Sequence, residues 1–83
     1  MSKADEMFEK LGYEKILDDT LMAECIIYCK KIKRKIVVEF REIIFHTSTK
    51  TISISLQFLS LEELQAINEK VKELGWLNET KKI

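Results

Sequence analysis

The chain has 83 residues, of which 46% are hydrophobic and 34% charged, with 14 Lys and Arg balanced by 14 Asp and Glu. This length supports one hydrophobic core and excludes a second, so we expect a single small domain over residues 1–83. The formal charge of zero removes the global electrostatic argument for binding nucleic acid or an anionic membrane, and the composition is not that of a disordered chain.

A short helix is the first predicted element, over residues 3–11. Ser2 and Asp5 have the spacing of an N-terminal cap, and Gly12 follows where a helix of this length would end. The apolar side chains between them form a short stripe of Met7, Phe8 and Leu11. We expect this helix to lie on the edge of the core and residues 13–19 to form a connection.

Three or four antiparallel strands are predicted within residues 22–59. Residues 25–29 are apolar and rich in β-forming side chains, which is typical of a buried strand. Residues 35–41 alternate in polarity, with one apolar face made of Ile36, Val38 and Phe40. The alternation then shifts by one position, so we expect a turn or a bulge near residue 41 and a fourth strand over residues 43–48.

The last predicted strand, residues 51–58, alternates without an exception. Its apolar face consists of Ile52, Ile54, Leu56 and Phe58. Its polar face consists of Thr51, Ser53, Ser55 and Gln57. One apolar and one wet face are typical of a half-buried strand in an antiparallel sheet.

A C-terminal helix is predicted over residues 61–74. Ser60 and Glu63 have the spacing of a capping box, and Gly75 stands where a left-handed residue ends a helix. The apolar stripe that we expect to face the sheet consists of Leu64, Ile67, Val71 and Leu74. The charged side chains that we expect to face solvent are Glu62, Glu69, Lys70 and Lys72.

Together these elements predict an α+β fold. A three- to four-stranded antiparallel sheet has one face covered by the C-terminal helix, and a short N-terminal helix is added to it. We expect Trp76 to pack inward against its own helix and residues 78–83 to form a frayed tail.

The sequence lacks the usual constellations of an enzyme or a metal site. The one histidine, His46, has no acidic residue in a triad-like spacing, and the two glycines stand too far apart to form a phosphate-binding loop. Cys25, Cys29 and His46 supply three ligands, where a closed zinc site needs about four. We therefore expect no enzymatic activity, no metal and no cofactor.

No membrane association is expected either. The longest apolar run, residues 25–29, has five residues, whereas a membrane-spanning helix needs about twenty. Residues 1–6 contain two acidic residues in place of the apolar segment of a signal peptide. Two cysteines without a disulfide framework suit a reducing compartment, so we expect a cytoplasmic protein.

Two motifs stand near the ends of the chain. FEKLGY occupies residues 8–13, and EELQAIN at residues 62–68 is followed by ELGW at residues 73–76. In this order they resemble a group of small uncharacterised proteins encoded by prophages and phages of low-GC Gram-positive bacteria. The resemblance implies a bacterial or phage-infected cell and an accessory role, and it brings no activity, cofactor or site residue with it.

Two sets of residues are candidate contacts for a partner. The first is a basic loop within residues 30–35, consisting of Lys30, Lys31, Lys33, Arg34 and Lys35. It can contact phosphates or a protein, and it can equally be a solvated turn. The second is the polar face of the last strand, Thr51, Ser53, Ser55 and Gln57, which can meet a partner's sheet or a second copy if the strand lies at an edge. Solvation alone also explains this second set.

These observations favour a non-catalytic accessory protein of prophage type that acts through protein–protein interaction. Its partner is an unidentified protein such as a host factor, and a homodimer is a further expected assembly. The alternative function is a nucleic-acid-binding accessory protein that uses the basic loop 30–35.

Overall fold

The computed structural model describes residues 2–18, 25–55 and 58–76. Within them the elements follow in the order α1 (Lys3–Lys10), β1 (Glu14–Asp18), β2 (Cys25–Lys33), β3 (Val38–His46), β4 (Thr51–Ile54) and α2 (Leu61–Glu73). The strands form one antiparallel sheet in the order β1-β2-β3-β4, which confirms the predicted α+β fold. Residues 22–24, Gln57 and the predicted tail over residues 78–83 lie outside the described residues.

Both helices begin where the sequence predicts. Ser2 Oγ accepts a hydrogen bond from the Asp5 backbone N–H at 3.0 Å. Ser60 Oγ accepts from the Glu63 N–H at 3.1 Å while Glu63 Oε1 accepts from the Ser60 N–H at 2.9 Å, which completes the capping box. After α2, Gly75 has a φ of 77°, a left-handed conformation that favours glycine.

Both helices cover the same face of the sheet. The buried core cluster draws on both helices and both central strands, and consists of Phe8, Tyr13, Tyr28, Ile43, Phe45, Ala66 and Ile67. The Phe8 ring is fully buried and stacks on Tyr28 with ring centroids 4.0 Å apart. The prediction that α1 lies on the edge of the core is therefore wrong. Trp76 packs against the core, and the contact that the structure shows is with β3, where its ring centroid lies 6.2 Å from that of Phe45, in place of the predicted contact with its own helix.

The buried face of α2 differs in part from the predicted stripe. Three of its apolar residues pack in or against the core as predicted: Ile67, Val71 and Leu74. Leu64, however, is 43% exposed, and Lys70, predicted to face solvent, is buried. The Lys70 ammonium lies 3.7 Å from the Asp5 carboxylate of α1 and 3.5 Å from that of Glu73, so an ion-pair cluster between the helices accounts for its burial.

One strand was not expected from the sequence. Residues 14–18, predicted to be part of a connection, form β1 and pair with β2 from Glu14↔Cys29 to Asp18↔Cys25. Only two adjacent residues of this segment are apolar, which is too short a pattern to show alternation. Pairing with β2 stabilises the segment instead.

The predicted break near residue 41 is absent, so residues 43–48 are not a separate strand. β3 runs from Val38 to His46, and its register with β2 continues through Lys30↔Arg41 and Cys29↔Glu42. The polarity shift has another cause. Phe45 faces the helix-covered core, whereas Phe40 lies on the opposite face, in a part of the strand that extends past the core.

The last strand is shorter than predicted. β4 covers Thr51–Ile54 in place of residues 51–58, and Phe58, predicted to belong to its apolar face, is 78% exposed. Ile54 is 42% exposed, and only Ile52 of the described apolar face packs against the core.

β2 and β3 extend beyond the rest of the sheet. β1 pairs only with residues 25–29, and β4 pairs only with residues 43–46. Residues 30–33 and 38–41 pair with each other, and within the described chain no other strand flanks them. We call residues 30–41 the arm. At about 3.3 Å per residue, its paired part adds about 13 Å to the sheet.

Candidate functional site

The sheet has a second face, opposite the two helices, which we call the open face. Strand partners share a face, so Ile16, Ile27 and Ile44 lie side by side across three strands of the open face. Ile16 is 45% exposed, and the other two are half-buried. The neighbouring row consists, in register, of Asp18, Cys25, His46 and Thr51.

The arm presents apolar side chains to solvent. In the turn Ile36 is 94% exposed, and on β3 Phe40 is 59% exposed. Val37 and Val38 are each about half exposed. A two-stranded ribbon is marginally stable in water by itself, and clustered exposed apolar side chains are typical of an interaction site.

The predicted basic contact residues lie on the arm, but most of them are not in a loop. Lys30, Lys31 and Lys33 belong to β2, and only Arg34 and Lys35 lie in the turn. The expectation of a basic loop over residues 30–35 is therefore wrong in its secondary structure. The continuous pairing of β2 with β3 carries the strand through the lysines.

These basic side chains divide between the two faces of the ribbon. Lys31 pairs in register with Phe40 and belongs to the open face. Lys30 belongs to the opposite face, where its ammonium lies 5.7 Å from the centroid of the Tyr13 ring. The sequence run thus does not form one basic patch.

Some of the arm's charges are already paired. Arg34 lies 3.4 Å from the Glu39 carboxylate, and Arg41 donates a hydrogen bond to the Phe58 carbonyl at 3.0 Å. Three other ammonium groups of the arm, by contrast, make no hydrogen bond, ion pair or ring contact within the described part of the chain: those of Lys31, Lys33 and Lys35. They are available to a partner, next to the exposed apolar side chains.

Three of the predicted polar contact residues of the last strand, those other than Gln57, are engaged within the chain. β4 is an edge strand, as the hypothesis required, but it has only four residues. Ser53 Oγ lies 2.9 Å from His46 Nε2, Ser55 Oγ accepts from the Glu42 N–H at 2.9 Å, and Thr51 Oγ1 lies 2.8 Å from that of Thr49. A short edge whose hydroxyls are satisfied is a weaker contact surface than the arm.

Two tyrosine–carboxylate hydrogen bonds connect the helices to the rest of the core, and sequence reasoning missed both. Tyr28 Oη donates to Asp5 Oδ1 at 2.5 Å, and Tyr13 Oη donates to Glu63 Oε2 at 2.6 Å. Burial, together with the carboxylate partner, raises the pKa of both tyrosines. The partners are 23 and 50 positions apart in sequence, so no local pattern links them.

The carboxylates of these pairs have lowered pKa values. Burial alone would raise the pKa of Asp5, but hydrogen bonds from Tyr28 and Lys15 and the charge of Lys70 lower it. Burial alone would also raise the pKa of Glu63, but hydrogen bonds from Ser60 and Tyr13 and the charge of Arg41 lower it. Among the described residues every buried side-chain nitrogen or oxygen has a hydrogen-bond partner. We assign these charged groups a structural role.

The two cysteines have different surroundings. Cys25 Sγ lies 3.6 Å from His46 Nδ1. Cys29 stands between Glu14 and Glu42 in the strand register, and burial together with these carboxylates raises the pKa of its thiol. The described residues contain no group of three or more His, Cys, Asp or Glu side chains that could hold a metal ion.

No family model, curated protein or solved structure matches this chain. Among the described residues, neither helix has the length and apolar character that crossing a lipid bilayer requires. Function is therefore inferred from the surfaces of the chain itself.

Proposed function

We propose that this chain is a non-catalytic accessory protein that binds another protein through its arm. The observation that carries the proposal is the exposure of Ile36 and Phe40, at 94% and 59%, on a ribbon that no third strand flanks in the described chain. Protein interfaces combine an apolar centre with a polar rim. The arm offers both, because three unpaired lysines accompany its apolar side chains.

The chemistry of the arm indicates the chemistry of its partner. We expect an apolar depression on a protein surface, bordered by Asp or Glu side chains that complement Lys31, Lys33 and Lys35. A second copy of the chain is a poor occupant of this surface, since arm against arm would bring like charges together.

The biological setting of the proposal comes from the terminal motifs. Their resemblance to prophage- and phage-encoded proteins supports an accessory role, with a host factor as the partner. Both cysteines are free thiols, which suits the cytoplasm of a bacterial or phage-infected cell.

A paired substitution tests the arm directly. Ile36→Ser/Phe40→Ser removes the exposed apolar side chains of the arm, and Phe58→Ser/Leu61→Ser removes side chains of 78% and 66% exposure elsewhere. We expect the unaltered chain and the second variant to capture the same stoichiometric protein from a Gram-positive bacterial lysate, and the arm variant to lose it. Both variants should fold, because substitutions at exposed positions change stability by about 0.5 kcal/mol or less.

Three outcomes would overturn the assignment to the arm. The first is retention of the protein by the arm variant, and the second is recovery of no stoichiometric protein by the unaltered chain. The third is loss in both variants, which would place the site nearer to α2 than to the arm.

Nucleic-acid binding is the second candidate, and one observation favours it. The arm is a two-stranded ribbon that carries basic residues, and the major groove of DNA admits such a ribbon. In this case Lys31, Lys33 and Lys35 would contact phosphates, and the affinity would fall steeply with salt. Fluorescence anisotropy with generic duplex DNA and RNA at low and high salt decides. Salt-dependent binding that Lys31→Ala/Lys33→Ala/Lys35→Ala removes would establish this function in place of the protein partner.

A further inference from the structure

Cys25 and His46 lie side by side on the open face, at the end of the sheet away from the arm's turn. They are partners in the register of β2 and β3, and both are half-buried. The distance from residue 25 to residue 33 along the extended strand is about 26 Å. The pair is therefore separate from the surface assigned to protein binding above.

The separation of the two side chains is that of two ligands on one zinc ion. With Zn–S at about 2.3 Å and Zn–N at about 2.0–2.1 Å, a tetrahedral angle places the sulfur and nitrogen about 3.6 Å apart. Cys25 Sγ and His46 Nδ1 are 3.6 Å apart.

The second ring nitrogen of His46 is also positioned as in a metal site. His46 Nε2 lies 2.9 Å from Ser53 Oγ. When Nε2–H donates to this hydroxyl, the tautomer is fixed and the lone pair of Nδ1 faces the sulfur. Ligating histidines regularly hold their other nitrogen in such a hydrogen bond.

We propose that Cys25 and His46 form half of a zinc site, which a second copy of this chain completes with the same two residues. One chain supplies two ligands and its described residues hold no group of three, whereas a closed structural site has four. A twofold contact duplicates each ligand, so two chains provide a Cys₂His₂ set. The expectation from the sequence, that the protein binds no metal, is based on the ligands of a single chain, whereas this proposal uses those of two.

The surface beside the pair suits a contact between copies. Ile27 and Ile44 occupy the neighbouring row of the open face, followed by Ile16 at 45% exposure. The isoleucines bring no like charges into a twofold contact, while acidic residues stand in the rows on either side of them: Asp18 beside Cys25, and Glu14 and Glu42 beside Cys29. So few side chains bury less surface than a stable dimer needs, and the dimer should therefore depend on the metal.

Zinc takes the place of the thiol proton. With His46 in the tautomer protonated at Nε2, the Cys25 thiol of the metal-free chain is the donor to His46 Nδ1 across the 3.6 Å separation. On binding, each of the two Cys25 thiols releases its proton to solvent and each His46 stays neutral. The two thiolates balance the charge of Zn²⁺, so the centre is neutral overall.

Titration of the full chain with Co²⁺, as a spectroscopic substitute for Zn²⁺, tests the site. We expect the absorption bands of tetrahedral, thiolate-bound cobalt, saturating at one ion per two chains. With Zn²⁺, light scattering should show a doubling of the 9.8 kDa mass that EDTA reverses. Cys25→Ser and His46→Gln should each abolish both signals, whereas Cys29→Ser, which removes the other thiol of the same strand, should leave them intact.

A second variant keeps all four ligands. Ser53→Ala removes only the hydroxyl beside His46 Nε2 and should weaken Co²⁺ binding about 10- to 100-fold. Ile36→Ser/Phe40→Ser should bind metal normally, which separates this site from the arm. One ion per chain without a change in mass, equal loss in Cys29→Ser, or no binding by the unaltered chain would each overturn the proposal.

Discussion

Replacing Phe8 by Ala tests whether the aromatic cluster under α1 holds the fold together. The Phe8 ring is fully buried, stacks on Tyr28 with centroids 4.0 Å apart, and meets Phe45 edge-on at 6.2 Å. Truncation of a buried phenylalanine costs about 3–5 kcal/mol, to which each lost ring pair contributes about 0.5–1.5 kcal/mol. The free energy of unfolding of natural domains is roughly 5–15 kcal/mol, and small domains lie near the low end of this range. This change should therefore unfold much of the population.

Urea unfolding followed by far-UV circular dichroism and Trp76 fluorescence measures the free energy of unfolding. Phe58→Ala is the matched control, because it makes the same chemical change to a ring that is 78% exposed. We expect that control to alter the free energy of unfolding by about 0.5 kcal/mol or less. Equal changes in the free energy of unfolding for the two substitutions would refute the claim that Phe8 belongs to the core.

Three further predictions concern the buried polar groups. Tyr28→Phe should lower the free energy of unfolding by about 1–3 kcal/mol, because the Asp5 carboxylate loses a hydrogen bond; an unchanged urea midpoint would contradict this. The lowered pKa of Asp5 gives a stabilisation that is complete above its unfolded value, about 4, and is lost as the pH falls through the folded value. The raised pKa of Tyr28 gives a stabilisation that is complete below the pKa of tyrosine in the unfolded chain, about 10, and is lost as the pH rises through the folded value. The urea midpoint should therefore decline at both ends of the pH range, and Tyr28→Phe should reduce the alkaline decline. Lys70→Ala should lower the free energy of unfolding by more than about 1 kcal/mol, because it removes the buried ion pair between the helices. Lys72→Ala is the control and should have little effect, because that side chain is 62% exposed. Similar urea midpoints for the two variants would show that the interhelical ion pairs are unimportant.

The helix ends are the part of the fold that the sequence predicts best. A helix start leaves backbone N–H groups that a side chain three residues away can satisfy, so Ser60 and Glu63 carry the whole signal within four residues. Gly12 and Gly75 have positive φ values just past the two helices, which is why they mark the helix ends in sequence.

The faces of the elements are predicted less well, because burial depends on partners remote in sequence. Lys70 is buried by contact with Asp5 at the other end of the chain, and no periodicity encodes that contact. Phe40 continues an apolar alternation yet lies on a part of β3 that no helix covers. How far β2 and β3 extend past the core depends on which strands pair with them, and this pairing is a property of the tertiary structure.

The segment that forms the arm stands out in the sequence only by its charge. The run from Lys30 to Lys35 lies within the arm, but the alternation of a strand sends successive lysines to opposite faces. The proximity of Cys25 to His46 arises from the β2–β3 register, which a polarity pattern with a misplaced break does not give.

Hydrogen exchange of the arm's backbone amides tests the central claim most directly. In the free chain residues 30–33 and 38–41 should exchange faster than the four-stranded part, because no flanking strand protects them within the described chain. On addition of the captured protein these amides should become protected while those of α2 stay unchanged. Protection of α2 or of residues 25–29 and 43–46 in the four-stranded part, with the arm still exchanging freely, would contradict binding through the arm.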